Sequence, residues 1–230
     1  MKLETYRQRY IASFTLFLLS GCGVPGGTVT TVETKEPLEI KEVTNAQPIS
    51  FRKVIAKLPL GEITGQIHYG WGCFPGRTLG WRGGQLNVTD EEFTDTFRKE
   101  LELRKYPVVG DPYALFGDST VEKAEFIFAG LITKVENQLC FPFSGSPNAN
   151  IGNTTAAKGA TFMRVAWQIY SRSVSKVIYE VTTEGSYRSE EAINGGFPIF
   201  LRNAFAANVR NLMADTGFHN LVSKNTTQPN

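Results

Sequence analysis

Histidine, cysteine and methionine are scarce in this chain of 230 residues, which contains two, three and three of them. It has no Gly-x-Ser-x-Gly nucleophile turn and no phosphate loop ending in Lys-Ser or Lys-Thr, which are patterns typical of many hydrolases and nucleotide-binding enzymes. The residues that could in principle bind a metal together are His68, Cys73, Cys140 and His219, but their spacing matches no compact zinc motif. We therefore expect a protein that is not an enzyme and holds no metal and no cofactor.

An excess of one charge is also lacking, because 24 basic side chains face 22 acidic ones. Three of the basic and one of the acidic side chains lie in residues 1–21, so the remainder of the chain is near neutral. The basic residues are scattered and form no arginine-rich stripe. This distribution gives no broad attraction to nucleic acid, and we expect no nucleic-acid partner.

Hydrophobic runs of membrane-spanning length are missing as well. The apolar run at residues 10–19 is shorter than the about 20 residues that a spanning helix needs. A polar stretch with a positive excess precedes it, and this combination is typical of a secretory signal peptide. The run ends in Leu-Ser-Gly-Cys at residues 19–22.

The tetrapeptide at residues 19–22 resembles the lipobox of bacterial lipoprotein precursors, in which an aliphatic residue and two small residues precede cysteine. The resemblance implies a signal peptide at residues 1–21, cleavage before Cys22 and covalent lipid, including palmitate, on Cys22. Several acyl chains on one residue give a lasting membrane anchor. Gly23 stands where an aspartate would favour inner-membrane retention, so the resemblance implies the outer membrane of a Gram-negative bacterium, facing the periplasm. The alternative is an ordinary signal or a buried N-terminal helix with a chance cysteine.

Residues 22–49 are rich in Gly, Pro, Thr and charged side chains and poor in aromatics. Such a composition predicts a flexible tether, because the segment buries too little apolar area to fold alone. A loosely packed extended arm is the other interpretation. A single folded domain over residues 50–222 and a disordered tail at 223–230 are expected after it.

The first helix is predicted to begin after Thr89. Thr89 and Glu92 have the spacing of a capping box, and Pro107 ends the helical pattern. Its apolar face is formed by Phe93, Phe97 and Leu101.

The second helix is predicted from residue 196 onward, with Pro198 in its first turn and Gly217 just past its end. Its buried stripe is formed by Leu201, Phe205, Val209 and Leu212.

Five strand-like runs surround these helices, at residues 51–58, 61–70, 124–141, 160–171 and 175–189. The Gly- and Trp-rich residues 70–86 and the polar residues that follow the third run to 159 are predicted as loops. The order of elements predicts an α+β fold with a mixed or antiparallel sheet of about five strands and two helices packed on one face.

Two cysteines remain if Cys22 carries lipid. In an oxidising compartment Cys73 and Cys140 favour one disulfide, and two separate buried thiols are the alternative.

Aromatic side chains concentrate in the glycine-rich stretch, at Tyr69, Trp71, Phe74 and Trp81. On a loop tied by a disulfide these side chains favour a contact surface for a protein or glycan partner. The alternative is that they cap an open end of the core.

Four stretches resemble the order of elements in small periplasmic lipoprotein domains: FRKELELRKYPVVG, AEFIFAGLITKV, MRVAWQIYSRSVSKVIYEVTTEG and NAFAANVRNLMADTGF. The curli secretion-channel lipoprotein and the lipoprotein activators of penicillin-binding proteins are the examples. The stretches are also similar to non-catalytic regions that precede trypsin-like domains in bacterial envelope proteins. The resemblance to the lipoprotein domains implies a sheet that carries a partner-binding or assembly surface and does no chemistry.

The sequence therefore predicts a membrane-anchored envelope lipoprotein that acts as a binding, assembly or scaffold factor. Its expected partners are the membrane, through the anchor, and another envelope protein or a cell-wall component. The alternative is an accessory module that recognises substrate for a separately encoded envelope hydrolase or protease.

Overall fold

Within the residues that a computed structural model describes, the chain folds around a six-stranded mixed sheet. The strands are β1 (Ile49–Ala56), β2 (Ile63–Tyr69), β3 (Phe74–Gly80), β4 (Phe126–Phe141), β5 (Ala157–Ser171) and β6 (Lys176–Ile193). The helices among them are α1 (Asp90–Glu102), α2 (Gly196–Met213) and α3 (Thr216–Val222). The described ranges are residues 28–40, 46–84, 86, 88–110, 121–143 and 156–223.

The three longest strands of the described residues are β4, β5 and β6, and they form an antiparallel meander. The strand order is β3-β2-β4-β5-β6, and β1 also pairs with β4. Both β1 and β2 run parallel to β4, β1 along its first half and β2 along residues 137–141. The α+β class with a mixed sheet is thereby confirmed, and the helices pack against the sheet as predicted.

Strand β3 was not predicted from the sequence. It lies inside residues 70–86, which were predicted to form a loop. It pairs antiparallel with β2 at an edge of the sheet, and Pro75 stands opposite His68. All of its residues except Leu79 are exposed. A strand with no buried face shows no apolar alternation, and an edge position tolerates proline, so its sequence looks like a loop.

Helix α1 confirms the prediction made from its capping box. The Glu92 N–H donates to the Thr89 hydroxyl at 3.2 Å, and the Thr89 N–H donates to the Glu92 carboxylate at 3.0 Å. The three predicted face residues are all buried against the sheet side: Phe93, Phe97 and Leu101.

Helix α2 begins where predicted and buries its whole predicted stripe, but it ends earlier than expected. Ala214 is its C-cap, and Asp215 then caps α3 by accepting the Phe218 N–H at 2.8 Å. Gly217 therefore lies inside α3 and does not end α2, which corrects the prediction. The Asp215 carboxylate caps the N-terminus of α3, and this helix already includes Gly217.

The main core lies between the helices and one face of the sheet. Phe51, Phe97, Trp167 and Phe205 form an aromatic cluster there, with Phe51 and Phe97 stacked at 4.4 Å between ring centroids. The opposite face carries a smaller cluster, in which Val29 packs on Ala160 and Phe162.

Residues 28–40 form an extended arm that lies on the folded domain. The Thr30 N–H donates to Glu136 at 2.7 Å, and the Val32 N–H donates to the Ser186 hydroxyl at 2.9 Å, so the arm crosses the strands on the face opposite the helices. It then reaches the helix side, where the Leu38 N–H donates to the Met213 carbonyl. Of the two interpretations of residues 22–49, the packed arm is the one that describes residues 28–40.

Candidate binding surface

The turn between β2 and β3, residues 70–73, is shaped by its glycines. Gly70 has a φ of 74°, and the Cys73 N–H donates to the Gly70 carbonyl at 2.9 Å. A Cβ at Gly72 would stand 2.7 Å from the Phe74 ring, so glycine there lets the ring fold back over the turn.

The disulfide between Cys73 and Cys140 is present, with an S–S distance of 2.04 Å across a sequence separation of 67 residues. It joins the turn to the end of β4, where the Gly70 N–H also donates to the Phe141 carbonyl at 3.1 Å. The disulfide and this hydrogen bond together hold the turn beside the C-terminal end of β4.

The four aromatic residues singled out in the sequence divide into two pairs. Tyr69 and Trp81 are 6% and 9% exposed and belong to the main core. Trp71 and Phe74 are 86% and 58% exposed, and their rings meet edge to face at 6.1 Å. The capping interpretation therefore describes the first pair, and the second pair is what the structure offers as a contact surface.

A third aromatic residue, Phe143, lies at the same end of the sheet and was missed in the sequence. It is 81% exposed and stands two residues beyond Phe141, which pairs with Tyr69. Trp71 stands two residues beyond Tyr69, so both follow the last paired position of neighbouring strands. Among the described residues, the exposed Trp and Phe side chains are these three, and we call Trp71, Phe74 and Phe143 the aromatic tip.

Phe143 follows directly from the strand that ends at Phe141, and that continuity was its only signal in the sequence. The polar residues after it hid the aromatic side chain in a stretch interpreted as a loop.

A groove of about 540 Å³ separates the arm from the disulfide. Its lining includes Thr28 and Val29 of the arm together with Cys73 and Cys140, so the described start of the arm borders the same end of the sheet as the aromatic tip. Its charged lining consists of Lys158, Arg188 and Glu190, the last two 3.3 Å apart.

His68 lies beside the disulfide, where it pairs with Cys140 across neighbouring strands, and it is 3% exposed. Its Nδ1 lies 3.1 Å from the Cys73 carbonyl, and its Nε2 lies 3.0 Å from the side-chain amide of Gln138. Because a carbonyl only accepts, the Nδ1–H group is the donor of the hydrogen bond to the Cys73 carbonyl. Both ring nitrogens are therefore engaged in holding the turn against β4.

His219 is placed on the helix side of the sheet. The Tyr106 hydroxyl lies 2.8 Å from its Nδ1, and burial lowers the pKa of His219 and raises that of Tyr106. Of the four residues considered as metal ligands, His68 lies beside the Cys73–Cys140 disulfide, whereas His219 lies apart from them on the helix side. No group of three or more His, Cys, Asp or Glu side chains suited to a metal ion occurs in the described part of the chain.

Two further groups with shifted pKa values serve structural contacts. Burial raises the pKa of Glu125, but hydrogen bonds from Ser171 and Ser173 outweigh it and leave the pKa lowered. Burial and the hydrogen bond to Asp215 raise the pKa of Tyr179 to about 12.

Cys22, the signal peptide at residues 1–21 and all of the predicted tail at 223–230 except Ser223 lie outside the described residues. Lipidation of Cys22 therefore stays a prediction. Among the described helices, none is long and apolar enough to cross a membrane.

Comparison with known proteins gives no family. No family model matches the chain, and no curated protein matches it.

Several solved structures are similar to the chain at low identity. A hypothetical protein from Chlamydia trachomatis is 10% identical with a TM-score of 0.38, and the match covers 74% of this chain and 96% of that one. The PelC dodecamer from Paraburkholderia phytofirmans is 10% identical with a TM-score of 0.36, covering 82% and 100%. A minor lipoprotein from Acinetobacter baumannii is 10% identical with a TM-score of 0.31, covering 77% and 96%. At these identities and TM-scores the matches assign neither a family nor a function.

Proposed function

We propose that this chain is a lipoprotein of a Gram-negative bacterium, held to the outer membrane through lipid on Cys22 and facing the periplasm. Its folded domain acts there as a non-catalytic binding or assembly factor for another envelope component. The observation that carries the proposal is Leu-Ser-Gly-Cys at residues 19–22, directly behind a short apolar run with a positive excess before it.

The engagement of the titratable side chains supports a non-catalytic role. His68 holds the turn through Cys73 and Gln138, and His219 pairs with Tyr106. Catalytic acids and bases are groups that reach a substrate, whereas these groups are satisfied by the protein itself.

The course of the arm supports a domain held close to its anchor. Thr28 already lies on the domain, and it follows Cys22 by six residues. Six residues span at most about 20 Å even when fully extended. A lipidated Cys22 would therefore confine the domain to a thin layer at the membrane and raise its effective concentration for partners in that layer.

Metabolic labelling with palmitate tests the anchor. We expect label in the mature chain, no label in a Cys22→Ser variant, and unchanged labelling in a Ser20→Ala variant, because alanine keeps the small residue before the cleavage site. An unlabelled wild-type chain that stays in the cytosol as the uncleaved precursor would refute the proposal.

Amine-reactive crosslinking in whole cells, followed by mass spectrometry, tests the binding role. We expect an envelope protein to be captured by the wild-type chain at a higher level than by Cys22→Ser. Equal capture by both chains would contradict function by confinement. A hydrolase as the captured protein would instead support the accessory recognition role.

A further inference from the structure

The exposed aromatic side chains are unevenly distributed over the molecule. The three that form the aromatic tip, Trp71, Phe74 and Phe143, all lie at the end of the sheet where β4 ends. At the opposite end of the sheet, the turn between β5 and β6 exposes Val174, which is aliphatic. The end with the aromatic tip is thus distinguished by side chains with large apolar rings.

The arm begins at this same end. Thr28 borders the groove that Cys73 and Cys140 also line. The arm crosses the sheet at Glu136, five residues before the end of β4. The first described residue of the arm, Thr28, therefore lies at the end of the sheet that carries the aromatic tip.

The number of residues between Cys22 and Thr28 limits how the domain can lie on a membrane. Six residues reach at most about 20 Å. Strand β4 has 16 residues and spans about 50 Å at a rise of roughly 3.3 Å per residue. An anchor at Cys22 consequently keeps the tip end within reach of the lipid headgroups, while the far end can lie well away from them.

Tryptophan and phenylalanine suit that layer, because Trp is enriched at membrane–water interfaces and an exposed Phe gains by leaving water. The tip is also prevented from folding back, since the disulfide ties its turn to β4. Trp71 and Phe74 contact each other and present their rings outward as a unit.

We propose that the aromatic tip inserts into the interfacial layer of the membrane that carries Cys22. This inference rests on the proposed lipidation and names the partner of the tip as a phospholipid surface. The covalent anchor fixes the distance of the domain from the membrane, and the tip fixes its orientation. The sheet and helix faces away from the tip then remain accessible to envelope partners.

Tryptophan fluorescence can report on the tip selectively. Trp81 and Trp167 are 9% and 1% exposed, so Trp71 is the tryptophan that a lipid-borne quencher reaches. The experiment uses the full lipidated chain, purified from membranes and reconstituted into vesicles of phosphatidylethanolamine and phosphatidylglycerol, with or without brominated acyl chains. We expect brominated lipid to quench the Trp71 emission, and the Trp71→Phe variant to lose that quenching.

A matched control moves the reporter to the other end of the sheet. Val174→Trp in the Trp71→Phe background places an exposed tryptophan in the β5–β6 turn. This reporter should remain unquenched. Equal quenching at both positions would overturn the inference, because it would mean that the domain lies on the membrane without a preferred end.

The palmitate label, vesicle flotation and Trp71 quenching together distinguish a failure of the proposed membrane contact from a failure of the proposed function. A chain without palmitate that does not float with the vesicles refutes the function itself. A lipidated chain that floats with the vesicles while Trp71 stays unquenched overturns the membrane contact alone. Crosslinking from position 74 to a protein in native membranes, together with an unquenched Trp71, would also overturn it in favour of a protein partner.

Discussion

Two hairpins of the same sheet are held in place by different means. The β5–β6 hairpin packs under α2 through a continuous apolar core, whereas in the β2–β3 hairpin strand β3 exposes almost every residue. The second hairpin also buries Ile67 and Tyr69 of β2 in the core, but β3 is held by its hydrogen bonds to β2 and by the disulfide at the turn. Rigid packing and exposed aromatic side chains are thus found in separate places, which allows the surface to change without loss of the fold.

The buried side also contains a polar network that is fully satisfied. The Trp167 indole N–H donates to Thr183 at 2.7 Å, and the Thr183 hydroxyl donates to Asn208 at 3.0 Å. The Asn208 amide in turn donates to the carbonyls of Met163 and Ala204, each at 3.0 Å. This network fixes β5, β6 and α2 relative to one another, since each buried polar atom needs its partner.

The largest effect is expected from Trp167→Ala. Removing a fully buried tryptophan costs about 3–5 kcal/mol of unfolding free energy, because it leaves a cavity and removes the hydrogen bond that the Thr183 hydroxyl accepts. Trp71→Ala serves as the matched surface variant and should change stability by less than about 0.5 kcal/mol. Urea unfolding measures both, and equal losses would show that Trp71 caps the core after all.

The next largest effect is expected from replacing both cysteines of the disulfide with alanine. A native crosslink typically contributes about 2–4 kcal/mol, chiefly by restricting the unfolded chain. Unlike Trp167→Ala, this change should also free the turn, so that protease cleavage near Trp71 rises. Thermal unfolding and limited proteolysis measure the two effects, and an unchanged cleavage pattern would mean that hydrogen bonds alone hold the hairpin.

A smaller loss is expected from Asn208→Ala, about 1–3 kcal/mol, because the Met163 carbonyl and the Thr183 hydroxyl lose a buried partner. Asn203→Ala on the same helix is the control, and it should stay within about 0.5 kcal/mol. Urea unfolding distinguishes them. Equal losses of unfolding free energy in both variants would show that the polar network does not stabilise the packing of α2 on the sheet.

The smallest effect is a dependence of stability on pH through His219. Burial lowers the pKa of His219 below its ordinary value of 6.5, so the unfolded chain takes up this proton at higher pH than the folded chain. The folded state therefore loses stability as pH falls below 6.5. His219→Gln keeps an acceptor for Tyr106 and should reduce the difference in unfolding free energy between neutral and mildly acidic buffer.

The stretches whose structure is decided by neighbouring residues were predicted well. The capping box of Thr89 and Glu92 placed the start of α1, and the stripes of both long helices are buried as expected. Helix caps and apolar stripes depend on residues within a few positions, which the sequence displays directly. The end of α2 was wrong because Asp215 starts α3 before Gly217 is reached.

The candidate site was predicted only in part. The pairing of Cys73 with Cys140 followed from their number, but the division of the four aromatic residues did not follow from anything local. Tyr69 and Trp81 are buried because elements distant in the sequence cover them. Trp71 is exposed because none of the described residues covers its ring. Strand β3 escaped prediction for a different reason, because all of its residues except Leu79 are exposed and show no apolar alternation.

The sequence by itself determined the α+β class, the central strand β4, both long helices and the pattern at residues 19–22 that predicts an anchor. Only the tertiary structure decided which aromatic side chains face solvent, that Phe143 joins them, and that the arm begins at the same end of the sheet. The physical reason is that periodicity and capping act between near neighbours in the chain. Exposure depends instead on which surfaces meet after the whole chain has packed.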